Sequence, residues 1–257
     1  MADSSTTAPR GSVGIHFDRV EKRFASLVAL RGISLNILPG EFVALLGHNG
    51  AGKTTLLRIA ALLMHPTGGQ IQFEASANSP MPSTSAKRLI GMVAHNTLLY
   101  DELSAVENLT LFAELYGLDN VRARVSTSLD SCGLSSRAGS LVRTFSRGMH
   151  QRLAIARALL HGPRLLLLDE PAAGLNEQEQ KDLAKRIRSF AAEGITVLVV
   201  EHNLVFLAAL AERLICLDRG KVIAAGLPEA VRREPAVIEA YLGLEADVAE
   251  LSLAAPS

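Results

Sequence analysis

Residues 41–56, EFVALLGHNGAGKTTL, restrict the fold more than any other stretch of the chain. Phe42 to Leu46 is a short apolar run of the length of a buried strand, and helix-forming character returns from Thr54 onward. The loop between them is rich in glycine. Gly47, Gly52, Lys53 and Thr54 match the phosphate-loop pattern GxxxxGK[ST], with Gly50 as an extra position where the backbone can approach an anion closely. Successive N–H groups of such a loop, here from Gly47, His48, Asn49, Gly50, Ala51 and Gly52, converge on phosphate oxygens. The following helix aims its partly positive N-terminus at the same place. Lys53 is then placed to reach the β- and γ-phosphates as a point charge. The Thr54 hydroxyl suits Mg2+, a hard cation that keeps oxygen ligands, and Thr55 stands beside it as a second hydroxyl. An ordinary glycine-rich turn is the plain alternative, disfavoured because all four pattern positions fall between a predicted strand and a predicted helix.

The 257 residues suit one large domain, or a domain with a substantial subdomain, and a 48% hydrophobic content is ample for a core. Lys and Arg total 26, as do Asp and Glu, so no global basic field argues for sequence-blind nucleic-acid binding. Cys132 and Cys216 are far apart with no CxxC spacing, which indicates neither a disulfide framework nor a zinc site. The start, MADSSTTAPRGSVG, lacks the apolar core of a secretory signal and reads as a disordered leader over 1–14. Residues 195–217 are apolar but contain Glu201, His202, Asn203, Glu212 and Arg213, too many polar groups for a membrane span. A membrane, if one is involved, is crossed by another chain.

Alternating apolar positions over 15–38 predict antiparallel strands ahead of the phosphate loop. Phe24 is an isolated aromatic there, readable either as a strand-edge core residue or as a platform on which a base stacks. Residues 70–74 predict a short strand, 75–86 an exposed loop, and 88–94 another strand leading to His95. A helical region is expected from about 103 to 161.

Leu165 to Leu168, bounded by Pro163 and Pro171, then fits a fully buried central strand ending in Asp169 and Glu170. With a phosphate loop upstream, Asp169 is placed to hold Mg2+ through water and Glu170 to orient or deprotonate an attacking water. A carboxylate pair capping the next turn is the bland reading. A helix over 177–192, a strand over 195–200 ending at His202, a hairpin at 214–225 and one helix over 228–242 complete the chain, with a loose tail over 244–257.

Phosphate loop, LLLLDE strand, His202 and the intervening FSRGMHQR together resemble the ATPase subunits of ABC transporters over nearly the whole length. The resemblance implies an α/β P-loop NTPase of ABC type. Its central sheet would be mixed, with an antiparallel N-terminal β-subdomain and an inserted helical subdomain near 96–162, all within an ATPase domain over 15–243. It implies ATP and Mg2+ as ligands and head-to-tail pairing with a second copy or a homologous subunit, Ser146 and the Gly148 N–H reaching the partner's γ-phosphate. It also makes Phe24 the adenine-stacking aromatic, His95 the occupant of the glutamine-loop position, Asn176 the occupant of the D-loop aspartate position and His202 the switch histidine. Arg147 and Met149 stand where the signature has Gly and Gln. The expected location is peripheral, on the cytoplasmic face of the cell membrane beside an integral permease, with no nucleic-acid partner.

Cargo is read from two segments. IGMVAHNTLLYDELSAVENLTLFAELYGL and FSRGMHQRLAIARALLH resemble the haem exporter ATPase of cytochrome c maturation. DEPAAGLN and GKVIAAGLPEAVRREPAVIEAYLG resemble branched-chain amino-acid importer ATPases. The surface that meets a permease is expected around 95–120, so the middle segment carries the cargo expectation of haem. Branched-chain amino-acid import is the alternative, and a soluble ABC ATPase not coupled to transport is the alternative from another class.

Overall fold

The computed structural model describes residues 11–75, 79–201, 207 and 210–242. Strands β1 (Val13–Phe24) and β2 (Leu27–Ile37) form an antiparallel pair, and β4 (Gly68–Ala75) and β5 (Ser79–Met81) extend it into a sheet of order β2-β1-β4-β5. The second sheet has the order β10-β9-β3-β8-β7-β6, built from β3 (Phe42–Leu46), β6 (Ile90–Val93), β7 (Leu165–Asp169), β8 (Thr196–Val200), β9 (Arg213–Asp218) and β10 (Lys221–Gly226). Five of these strands run parallel, and β10 returns antiparallel to β9.

Strand alternation assigns the cores. On β3, Val43 and Leu45 face the layer between the two sheets, whereas Phe42, Ala44 and Leu46 face the opposite layer. On β7, Leu165 and Leu167 join the first group and Leu166 and Leu168 the second, so every residue of the run is buried. Fully burying one such side chain is worth about 1.5–3 kcal/mol, so four in succession hold β7 inside the sheet, between β8 and the edge strand β6 rather than at its centre.

Helix α1 (Lys53–Ala60) packs in the layer between the sheets, and α6 (Glu177–Ala192) lies on the other face. Between β6 and β7 come α3 (Ala105–Leu115), α4 (Val121–Ser131) and α5 (Arg147–Leu159), which bury a separate cluster around Leu109, Leu129, Val142 and Leu153. Ser104 and Glu107 start α3 with a reciprocal capping box, worth about 1 kcal/mol.

Three local expectations are corrected. Residues 79–87 are not loop: β5 pairs with β4 through Phe73–Met81, Glu74–Pro80 and Ala75–Ser79, and α2 (Ser83–Lys87) follows. Pro80 is tolerated because β5 is an edge strand. Residues 12–14 do not belong to a disordered leader, because β1 begins at Val13 and Ser12 donates to the Gly194 carbonyl at 2.5 Å; residues 1–10 lie outside the described residues. The single helix over 228–242 is two, α7 (Pro228–Arg232) and α8 (Pro235–Leu242), since Pro235 has no N–H to continue the ladder. The tail over 244–257 lies outside the described residues.

Candidate functional site

The phosphate loop connects the carboxyl end of β3 to α1, at the edge where parallel strands leave their C-termini. Gly47 has φ 149, and a Cβ on it would stand 2.3 Å from the Leu217 carbonyl oxygen, so only glycine lets the loop leave β3 here. The loop is braced on the β9–β10 turn: Ala51 N–H donates to His48 O at 3.1 Å, and Gly220 N–H donates to Ala51 O at 3.0 Å. The His48 ring adds a 2.6 Å contact from Nε2 to Asp218 Oδ1. Asp218 is a loop-positioning residue that sequence reasoning missed, because it lies 170 residues further along the chain.

Lys53 Nζ turns back under the loop and donates to Gly47 O at 2.6 Å and His48 O at 3.0 Å. Burial pushes its pKa below the ordinary lysine value, against the pull of the Glu170 and Asp169 carboxylates. Thr54, one residue on, donates from Oγ1 to Asp169 Oδ1 at 3.2 Å. Burial raises the Asp169 pKa; the Thr54 hydrogen bond pulls it back, and neighbouring Glu170 adds to the rise. A hydroxyl and a carboxylate oxygen side by side form the all-oxygen donor set that Mg2+ takes. Among the described residues no group of three or more His, Cys, Asp and Glu side chains could hold a metal ion.

Glu170 follows β7 in the left-handed region, φ 50, with its N–H on Val200 O at 2.9 Å. His95 Nδ1 stands 3.7 Å from Glu170 Oε2, so the residue expected at the glutamine-loop position borders the carboxylate itself. Both line a cavity of about 610 Å3 with Asp101, Arg147 and His150. His202 lies outside the described residues. Phe24 ends β1 with its ring 42% exposed and Lys22 Nζ 5.3 Å from its centroid, so it is no core residue and keeps a face for stacking. Thr55 is half-buried in the first turn of α1.

Ser146 and Gly148 open α5, away from the phosphate loop in sequence. Ser146 is the helix N-cap, its Oγ accepting Met149 N–H at 3.2 Å, and the Glu179 side chain covers Gly148. Asn176 caps α6: its side chain accepts Glu179 N–H at 2.9 Å, and its own N–H donates to Glu179 Oε2 at 3.1 Å. Asn and Asp cap equally well, so this departure leaves the helix start intact.

Residues 30–173 match the profile of the ABC transporter family. The chain belongs to that family. It is an ABC ATPase, built on the ABC cassette fold, and ATP is its nucleotide. A second profile, that of the branched-chain amino acid ATP-binding cassette transporter, matches 221–247. Nod factor export ATP-binding protein I of Burkholderia pseudomallei is 37% identical over 235 residues, 90% of this chain and 74% of that protein. The high-affinity branched-chain amino acid transport ATP-binding protein BraF of Pseudomonas aeruginosa is 32% identical over 240 residues, 86% and 94% of the two chains. Among solved structures, the dimeric ATP-binding cassette MJ0796 in a post-hydrolysis state, bound to ADP and Pi, superposes with a TM-score of 0.73 at 28% identity, covering 83% of this ABC ATPase and 98% of that chain. The haem-export expectation finds no support in these relatives. The stretch that resembled amino-acid importers is where the second profile falls.

Proposed function

We propose that this ABC ATPase powers translocation through an integral membrane partner, and that two copies, or this chain and a homologous subunit, clamp ATP head to tail. The observation that carries the reading is the meeting of Thr54 with Asp169 at 3.2 Å, with Glu170 next along the chain. That meeting supports the reading of a phosphate cradle, a cation ligand pair and a base at one sheet edge.

In this reading the N–H groups of Gly47 to Thr54 and the Lys53 ammonium hold the phosphates, and Phe24 stacks on the adenine. Thr54 and Asp169 would hold Mg2+, which would supply positive charge to the bound phosphates. Glu170 accepts the proton of the attacking water, and its half-buried side chain keeps that water oriented. Ser146 and the Gly148 N–H serve the second copy's nucleotide, and His202 serves as switch histidine. Lys53 Nζ uses two of its three donors on the Gly47 and His48 carbonyls, which leaves one for a phosphate oxygen.

No described helix is long and apolar enough to cross a membrane. The surface expected to meet the membrane partner carries exposed Leu98, Tyr100, Val106, Leu115 and Tyr116. Exposed apolar side chains along α3 and the segment before it are of the kind a protein partner covers. For cargo, the match over 221–247 and the likeness to BraF favour a branched-chain amino-acid importer.

The reading is tested by measuring ATP hydrolysis and ATP-driven dimerisation of the purified chain. Glu170→Gln should hold a dimer in ATP, and Ser146→Arg should abolish it. A Glu170→Gln protein that stays monomeric in ATP sinks the sandwich for this chain alone. Stimulation of the ATPase by a co-reconstituted permease in the presence of leucine, and none by haem, is the outcome expected for the cargo.

A further inference from the structure

The segment 170–176 links β7 to α6 and holds the proposed base in an unusual conformation. Glu170 at φ 50 is a side-chain-bearing residue in the left-handed region, which costs about 1 kcal/mol and persists only where the surroundings impose it. The impositions can be traced bond by bond. Glu170 N–H is fixed on Val200 O at 2.9 Å, Ala172 N–H on the buried Glu201 Oε1 at 2.7 Å, and Ala173 N–H closes a turn onto Glu170 O at 3.1 Å. The far side of that turn is gripped from another element. Arg147, the first residue of α5, donates from Nε to the Ala173 carbonyl at 2.8 Å.

Gly174 shows how closely the two segments fit. It has φ 70, and a Cβ on it would stand 2.5 Å from Arg147 Nε and 2.6 Å from Cζ, so the guanidinium packs directly against bare backbone. Arg147 also lines the same cavity as Glu170, His95 and His150. Its neighbours Ser146 and Gly148 are the residues assigned above to the second copy's nucleotide.

We propose that Arg147 is a positioning residue for Glu170: a strut from the start of α5 that holds the Glu170–Ala173 turn, and with it the direction of the Glu170 carboxylate. The proposal rests on the reading of Glu170 as the base. Because Arg147 stands between Ser146 and Gly148, the strut also ties the contact made across the dimer to the base of the same chain. A planar guanidinium suits this work, since it can donate along one edge while stacking on a peptide plane.

The test compares Arg147→Ala, Arg147→Lys, Glu170→Gln and the Arg147→Ala, Glu170→Gln double variant, each checked for folding by thermal melting. Loss of one hydrogen bond of this kind should lower kcat about tenfold in Arg147→Ala. Affinity for labelled ATP should stay within about twofold, because the strut acts on hydrolysis and not on nucleotide binding. Arg147→Lys, which keeps a donor, should recover part of the rate. In the Glu170→Gln background Arg147→Ala should cause no further loss, since both changes act through one carboxylate. An unchanged kcat in folded Arg147→Ala, a fall in affinity equal to the fall in rate, or fully additive losses in the double variant overturns the strut. A Glu170→Gln protein with the wild-type rate overturns the base assignment instead, so the two failures are distinguishable.

Discussion

Thr54 Oγ1 donates to Asp169 Oδ1 across 3.2 Å, joining the first turn of α1 to the end of β7 over 115 positions of sequence. A hydroxyl and a carboxylate oxygen face each other there, and the acid is buried. Such an arrangement has a stability cost, and the first prediction follows from its sign.

Burial holds the Asp169 pKa above its ordinary value of 3.8. The unfolded chain therefore releases the proton first as pH rises, and stability is lost from pH 3.8 upward through the folded pKa. Asp169→Asn keeps the acceptor for Thr54 and removes the charge. The nucleotide-free variant should therefore melt higher than the wild type at a pH above the folded pKa. The same variant should lose the Mg2+ dependence of ATP binding. A lower melting temperature in calorimetry would mean that the ionised carboxylate stabilises the fold.

Lys53→Ala should weaken ATP binding tenfold to a hundredfold or more, because charge-assisted hydrogen bonds contribute roughly 1.5–3 kcal/mol each. Nζ also ties Gly47 and His48 in the nucleotide-free chain, so the variant should show faster amide exchange at the loop. Titration with labelled ATP checks the first effect and hydrogen-exchange mass spectrometry the second.

Glu170→Gln should bind ATP with near-normal affinity and hydrolyse it slower by about 10² to 10⁴, the usual effect of losing a general base. His95→Gln probes the same carboxylate from outside, since His95 Nδ1 stands 3.7 Å from Glu170 Oε2 on a ring that is 64% exposed. An exposed pair of this length contributes little, so the basal rate should stay within about tenfold. Steady-state assays of both variants, with and without the membrane partner, separate a role in chemistry from one in coupling. A collapse of the basal rate in His95→Gln would place the imidazole in the hydrolytic step.

His161 supplies a pH dependence of stability outside the site. Its Nε2 lies 3.1 Å from the Ile90 carbonyl and its ring 4.5 Å from that of Tyr116. Burial pushes its pKa below the ordinary 6.5; the Ile90 carbonyl pulls it back, and nearby Arg157 lowers it further. Above pH 6.5 the ring is neutral in both states. As pH falls below that value the unfolded chain takes up the proton first, so stability is lost down to the folded pKa. Between about pH 7.5 and 5.5 the wild type should lose more melting temperature than His161→Gln, which lacks this titration. Equal losses would show that His161 takes its proton as readily in the folded chain.

The sequence by itself determined the parts of this protein whose signals are local. A glycine-rich loop between an apolar run and a helix and four leucines ending in two acids can each be read within about ten residues, because strand alternation and helix periodicity are short-range. They pointed to Lys53, Thr54, Asp169 and Glu170, whereas Ser146 came from the resemblance to the ABC ATPase subunits. What tertiary structure alone decided are the relations between distant segments. The strand order β10-β9-β3-β8-β7-β6, which brings Asp169 to Thr54, depends on which apolar faces find one another in the packed core, and all those runs look alike in sequence. β5 read as loop because three residues with a proline have no strand signal of their own and are held by the β4 edge. The contacts of Asp218 with His48 and of Arg147 with Ala173 were illegible for the same reason: each joins a side chain to a partner that only the assembled sheet and helices bring within hydrogen-bond distance.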